Sequence, residues 1–321
     1  MDHTPSVLPH DVLIHLLQET ITRHVSAEAQ IEHVASVPIT PGLSGARIQR
    51  HQITLKAPQG PKQASLVTKE AGLLERSILT ILNEQGQQAI PFSHTLDLTT
   101  DGPALLCLQD LNPLPESASE QASPPSLLLQ KAQGLAAIHV ANRGQREAFS
   151  WLPRADRSYV TTYIQQRFWR PAWERVVHNS VFIQLFGTEI PQVEAAAAII
   201  ADEMDALYQE NNMLTLVHAD LNPSNVMIYE NTPYFIDWEL PRYGSFYLDL
   251  PHLFPTLEQA EYYRQALGET EIRITPEEFA VRYRIAARFI GLRYIWLPLK
   301  AWQEDHTRTT RIRHYLSMIL Q

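Results

Sequence analysis

Several protein classes are excluded by what this sequence has little of. It holds one cysteine, Cys107, in 321 residues, so it can form no internal disulfide and no thiolate metal cluster. Twelve glycines and 22 prolines show no collagen-like period. No apolar run reaches the ~18 residues that span a bilayer, and the opening Met1-Asp2-His3-Thr4-Pro5 has neither the basic nor the apolar region of a signal peptide. Cations are in deficit as well. Lys and Arg number 26 against 35 Asp and Glu, a net charge of −9, whereas general nucleic-acid affinity needs cations that displace counterions from phosphate. The expectation is a cytoplasmic protein, with no nucleic-acid, membrane or protein partner implied.

What remains is ordinary globular material, 45% hydrophobic and 19% charged, long enough for two units with cores of their own. Apolar residues Val12, Leu13, Leu16, Leu17, Ile21 and Val25 predict an opening amphipathic helix. Short strands come next at Glu32 to Ile39, Ala46 to Leu55 and Ser65 to Thr68, then a helix from Ala71 to Gln85 and strands at Phe92 to Leu98 and Ala104 to Leu108. Cys107 lies in the last of these and reads as a buried small hydrophobe. The polar, proline-containing run from Asn112 to Glu120 reads as a linker. Beyond it the pattern is mainly helical: Ser126 to Val140, Arg157 to Val177, Gln192 to Asn211, Leu257 to Leu267, Pro276 to Pro298 and Thr307 to Leu320, with β-like runs at Val226 to Tyr229 and Tyr234 to Ile236.

The densest polar cluster is His218-Ala219-Asp220-Leu221-Asn222-Pro223-Ser224-Asn225, with Ile236-Asp237-Trp238-Glu239 shortly after it. This pattern suits phosphoryl transfer, in which a protein mainly positions groups and neutralises charge. One carboxylate orients the acceptor hydroxyl, and an amide oxygen with a second carboxylate holds Mg²⁺ against nucleotide phosphates; Asp220, Asn225 and Asp237 fit those roles. Two other readings use the same residues. As turn-capping Asx side chains they would have no chemistry. A metallohydrolase built from His218, Asp220, Asp237, Asp249 and His252 would leave Asn225 without a role.

These motifs resemble those of the aminoglycoside phosphotransferase and choline kinase family, which shares the protein-kinase architecture. His218 to Asn225 is similar to its His-x-Asp-x-x-x-x-Asn catalytic loop, Asp237-Trp238-Glu239 to its metal-binding segment, and Tyr247-Leu248-Asp249-Leu250 to a later stretch whose Asp supports the loop. The resemblance implies an α+β, two-lobed kinase-like fold, with a small antiparallel-sheet nucleotide-binding lobe containing one internal helix at residues 1–111. It implies a larger, mainly helical lobe at 112–321 that carries the catalytic loop, the metal-binding segment and the acceptor-binding region. ATP and Mg²⁺ are the implied cofactors, and the partner is a small molecule phosphorylated on a hydroxyl. Catalysis would rest on Asp220, with His218 bracing its loop, and metal binding on Asn225 and Asp237. The nucleotide would meet the loop bearing Gly42, Ser44 and Gly45, the lysine Lys69 oriented by Glu75 with Glu70 as competitor, and the backbone near Gln109 and Leu111. A pseudokinase that binds nucleotide without transferring phosphate is the alternative.

Two features bear on the acceptor. The aromatic stretch Trp151, Tyr159, Tyr163, Phe168, Trp169, Trp173, Phe182 and Phe186 offers core and pocket wall alike. The arginines of the last segment, among them Arg282, Arg288 and Arg293, read as salt-bridged helix faces. From Arg273 onward there are 9 basic and 4 acidic residues (+5), which leaves 17 basic and 31 acidic (−14) in residues 1–272. The net charge of −9 favours a cationic acceptor, but the +5 segment speaks against a highly charged aminoglycoside.

Overall fold

Alternating apolar positions in the first hundred residues build a five-stranded antiparallel sheet in the computed structural model, which describes residues 10–39, 45–111, 124–270 and 272–321. The strands are β1 (Gln30–Ile39), β2 (Ile48–Ala57), β3 (Gly60–Ala71), β4 (Ser93–Thr95) and β5 (Ala104–Gln109), in the order β1-β2-β3-β5-β4. Helix α1 (His10–His24) buries Leu16, Leu17 and Ile21 in a core shared with Ile53, Leu55, Leu66 and Cys107. Burial pushes the Cys107 thiol up to about 12, so it is the inert apolar residue expected.

Strand β3 is longer than the four residues expected because its pairing with β2 runs down to Ala57↔Gly60, where Gly60 takes φ +107°. Strand β4 is shorter than expected. Asp97 accepts the N–H groups of Thr99 and Thr100 at 2.7 and 3.0 Å, which bends the chain into an Asx turn before the strand can extend. Helix α2 (Leu73–Glu84) packs Ile78, Leu79 and Leu82 inward, and its Arg76 is fully buried. That guanidinium donates to the carbonyls of Ala71, Asp97, Thr100 and Gly102, pinning the helix start to the loop before β5.

A later segment joins this sheet. Strands β7 (Val226–Tyr229) and β8 (Thr232–Phe235) form a hairpin whose turn residues Glu230 and Asn231 both have positive φ, as a tight two-residue turn needs. Phe235 N–H donates to the Ala89 carbonyl at 2.8 Å. The chain therefore divides into Met1–Gln121 with Asn225–Leu240, and Ala122–Ser224 with Pro241–Gln321. The expected division at 111/112 is linear and omits this return, since a hairpin's pairing partner is not written in its own sequence. The expected linker lies outside the described residues.

The second unit is mainly helical: α3 (Pro125–Ala141), α4 (Arg157–Thr161), α5 (Trp169–Trp173), α6 (Ser180–Phe186), α7 (Ile190–Gln209), α8 (Leu250–Leu253), α9 (Leu257–Gly268), α10 (Pro276–Tyr294), α11 (Trp296–Glu304) and α12 (Thr310–Ile319). One antiparallel pair, β6 (Leu214–Val217) with β9 (Arg242–Ser245), lies among them. Two expected helices are broken, each for the same reason. A proline ring clashes with the carbonyl four residues back. Pro171 faces Arg167, where a π-helical turn over Thr162–Arg167 ends, and Pro298 faces Tyr294, where α10 ends. Trp169, Trp173, Phe182, Phe186 and Trp302 fill the core, so most of the aromatic stretch is packing. Among the described residues, no helix is long and apolar enough to cross a membrane.

Candidate functional site

In the first unit the chemistry gathers on Lys69. Its strand β3 lies between β2 and β5, with Lys69 opposite Ile48 and Leu106, so the side chain starts from a fixed backbone. Its Nζ lies 3.0 Å from Glu75 Oε1 and 2.5 Å from Asp237 Oδ1. Glu75 sits in the first turn of α2, beside the pinned Arg76. Burial alone would lower the Lys69 ammonium; the Glu75 and Asp237 carboxylates outweigh it and hold the group above the ordinary lysine value. Burial pushes the Glu75 carboxyl above its usual range, against the pull of Lys69. Glu75 Oε2 is buried with no hydrogen-bond partner among the described residues.

Asp237 reaches this cluster from 168 positions away because the β7–β8 hairpin carries it. Val226 pairs with Phe235, and Ile236 N–H donates to the Asn225 carbonyl at 3.0 Å, so Asn225 and Asp237 flank the open end of the hairpin. Asp237 takes φ +64°, an uncommon conformation for a residue with a side chain, and the next residue, Trp238, anchors the segment by burying its indole and donating to the Phe235 carbonyl. Asn225 is buried, whereas the Asp237 side chain is 38% exposed. Both offer oxygen, the donor that a hard divalent cation prefers, and the bare Glu75 oxygen adds negative potential nearby. Mg²⁺ keeps several water or phosphate ligands, so two protein donors suit it.

In the second unit the polar loop after β6 is suspended from one carboxylate. Asp249 accepts His218 N–H at 2.7 Å and Ala219 N–H at 2.8 Å, and His139 Nε2 lies 3.2 Å from the same carboxylate. His139 is itself fixed by Tyr263 at 2.7 Å. His218 is fully buried, and its Nδ1 accepts the Asp220 N–H at 3.4 Å; the ring shapes the loop from inside. Ala219 takes φ +62°, turning Asp220 outward. The Asp220 carboxylate accepts Tyr294 O–H and has Arg293 Nη2 at 4.0 Å. Arg293 is buried, donating to Tyr159 Oη at 2.7 Å and to the Ala219 carbonyl. Burial opposes its charge, but Tyr159, Tyr294 and Asp220 hold it firmly cationic.

A family model described as a phosphotransferase enzyme family matches residues 61–282. The chain belongs to that phosphotransferase family. Solved structures agree on the kinase-like fold. A choline kinase from Cryptosporidium parvum is similar over 97% of this chain and 95% of its own, at 14% identity and TM-score 0.60. A spectinomycin phosphotransferase, solved with ADP and spectinomycin, covers 95% and 93% at 14% identity and TM-score 0.55. An ethanolamine kinase from Plasmodium vivax covers 89% and 81% at 13% identity and TM-score 0.52. No curated protein sequence matches the chain.

Against the sequence expectations, the phosphotransferase brings Lys69, Glu75 and Asp237 together and keeps Asn225 beside Asp237 at the hairpin's end. Glu70, the competitor for Lys69, faces Arg47 at 3.9 Å instead. Gly45 takes φ +69°, which suits glycine; Gly42 and Ser44 lie outside the described residues. Gln109 N–H is already engaged by the Phe92 carbonyl at 2.9 Å, so it is not the donor a nucleotide base would meet; Leu111 is buried just beyond. Arg282 and Arg288 form ion pairs with Glu210 and Glu203, as expected of helix faces. Arg293 instead faces the Asp220 carboxylate at 4.0 Å and donates to the Ala219 carbonyl, bracing the Asp220 loop. Sequence reasoning missed His139 entirely, since a lone histidine in a helix carries no local signal of its distant carboxylate.

Among the described residues no group of three His, Cys, Asp or Glu side chains is placed to hold a metal.

Proposed function

We propose that this phosphotransferase moves the γ-phosphate of ATP to a hydroxyl of a small molecule in the cytoplasm. The observation that supports this reading most is the pairing of Lys69 with both Glu75 and Asp237, residues of a strand, a helix and a distant hairpin drawn onto one ammonium. Lys69 holds the α- and β-phosphates, and the backbone near Gly45 lines the phosphate path. Asn225 and Asp237 hold Mg²⁺, which when bound neutralises phosphate charge. Asp220 orients the acceptor hydroxyl and receives its proton as the new O–P bond forms and the bond from the γ-phosphorus to the β,γ-bridging oxygen breaks, releasing ADP. Tyr294 and Arg293 fix the Asp220 carboxylate for that role.

The test is acceptor-dependent ADP release across a panel of hydroxyl compounds, with Asp220→Asn as the control. Phosphorylated product with wild type and a loss of at least ~100-fold in kcat for Asp220→Asn, at unchanged ATP affinity, is expected. Near-normal turnover in that variant would overturn the assignment. The pseudokinase alternative requires an emptied catalytic position, and Lys69, Asp220, Asn225 and Asp237 are all present.

A further inference from the structure

The second unit contains a pocket of about 400 Å³ lined by Arg154, Arg167, Arg242, Tyr159, Tyr163 and Asp156, with smaller hydroxyl residues between them. That volume holds a small metabolite. Three guanidiniums meet one carboxylate there, and the carboxylate is already engaged. Asp156 caps helix α4 by accepting Tyr159 N–H at 3.1 Å. None of the three arginines forms an ion pair with a described residue. Arg242 lies 4.0 Å over the Tyr159 ring and donates to the Arg154 carbonyl at 3.2 Å. Arg154 lies 5.2 Å over the Tyr243 ring, and its Nη1 is buried with no hydrogen-bond partner. A buried, unpartnered guanidinium nitrogen costs free energy that an acceptor on a ligand would offset.

The pocket is linked to the Asp220 loop through one buried side chain, Arg293. Its Tyr159 wall takes a hydrogen bond from Arg293, which also donates to the Ala219 carbonyl, faces Asp220 at 4.0 Å and lies over the Tyr163 and Tyr294 rings. The π-helical turn Thr162–Arg167 presents Tyr163 and Arg167 to it, an irregularity that recurs at functional sites. Guanidiniums on aromatic faces match carboxylate and phosphate oxygens in pairs. They repel an ammonium.

We infer that this pocket seats the acceptor, and that the acceptor carries an anionic group, a carboxylate or a phosphate, held by Arg154, Arg167 and Arg242 while its hydroxyl is presented to Asp220. The inference rests on the phosphotransferase reading above for the reaction, and on the pocket alone for the charge of the ligand.

Two measurements separate them. Calorimetric titration with gluconate, glycerate and glycerol 3-phosphate, with glucose, glycerol and choline as uncharged and cationic counterparts, needs no turnover. Saturable binding of the carboxylates, the phosphate or both is expected, weakened about tenfold or more by Arg154→Gln, Arg242→Gln and the exposed Arg167→Glu, with the neutral compounds and choline binding more weakly in wild type. Binding by the carboxylates alone or by the phosphate alone identifies the group. No anion binding, or binding indifferent to all three substitutions, overturns the inference. Because Arg167 is exposed, Arg167→Glu keeps the test informative if the other variants fold poorly. In ADP-release assays the same variants should raise KM for the anionic acceptor, whereas Asp220→Asn lowers kcat. Turnover confined to choline or neutral alcohols overturns the acceptor inference and leaves phosphotransfer standing. Anion binding without ADP release from any acceptor overturns the phosphotransfer reading and, with it, the acceptor role of the pocket.

Discussion

The two units carry opposite imbalances of charge at their polar clusters. Around Lys69, one cation meets the carboxylates of Glu75 and Asp237, and a Glu75 oxygen is left bare. In the pocket beside Tyr159, three arginines meet one carboxylate, and an Arg154 nitrogen is left bare. Buried polar atoms are normally satisfied within a fold, so residual demand of each sign points to what the site accepts from outside. The charge balance of the first cluster favours a further cation, and that of the second an anion. The overall charge of −9 hides this difference, because it sums regions whose local fields are set by a handful of side chains.

The comparison breaks most severely at Asp249, which serves the second unit alone. Asp249→Ala leaves two backbone N–H groups and His139 without their acceptor in a buried setting, and about 3–5 kcal/mol of stability should be lost with the loop geometry. Chemical denaturation measures it, and a loss below ~1 kcal/mol would show the loop to be held otherwise. Next comes Asp237→Ala, which removes one carboxylate from the cation-seeking cluster. It should lower kcat by ~100-fold or more and abolish the Mg²⁺ dependence of nucleotide binding; nucleotide titrations with and without Mg²⁺ decide, and unchanged dependence would exclude Asp237 as a metal ligand.

A smaller effect is expected at Glu75. Burial already disfavours its charge, so Glu75→Gln should leave stability within about 1 kcal/mol while weakening ATP binding about tenfold through a misdirected Lys69. Unchanged affinity would separate the two residues functionally. The smallest at neutral pH concerns titration. Burial lowers His252 to about 3, and its Nε2 is buried without a partner. The unfolded chain takes up a proton below about 6.5 while the folded one does not, so stability present above pH 6.5 is lost as pH falls toward 3, on the order of 5 kcal/mol at the limit. His252→Phe should flatten that part of the pH–stability curve measured by thermal denaturation, and an unchanged acid slope would assign the loss elsewhere.

Much of this was legible in the chain. Apolar periodicity located the strands of the first unit and most helices, though not β6 and β9, because an element must bury one face whatever it packs against. The motif residues Asp220, Asn225 and Asp237 stood out because local chemistry demanded short polar runs beside apolar ones. Most of what failed had non-local causes. Arg293 reads like Arg282 and Arg288, all on one helix at ordinary spacing, and only packing puts one on the Asp220 loop and the others on Glu210 and Glu203. The breaks at Pro171 and Pro298 were local in cause, yet the surrounding helical pattern masked them.

By itself, then, the sequence determined the two kinds of unit, the order of their elements and the residue types that phosphoryl transfer uses. Tertiary structure alone decided that Asp237 meets Lys69 across 168 positions, that Glu75 rather than Glu70 completes the pair, and that Arg154, Arg167 and Arg242 converge on one pocket. The physical reason is that periodicity and turn chemistry act over a few residues, whereas charge partners are chosen by which side chains packing brings within a few ångströms and shields from water.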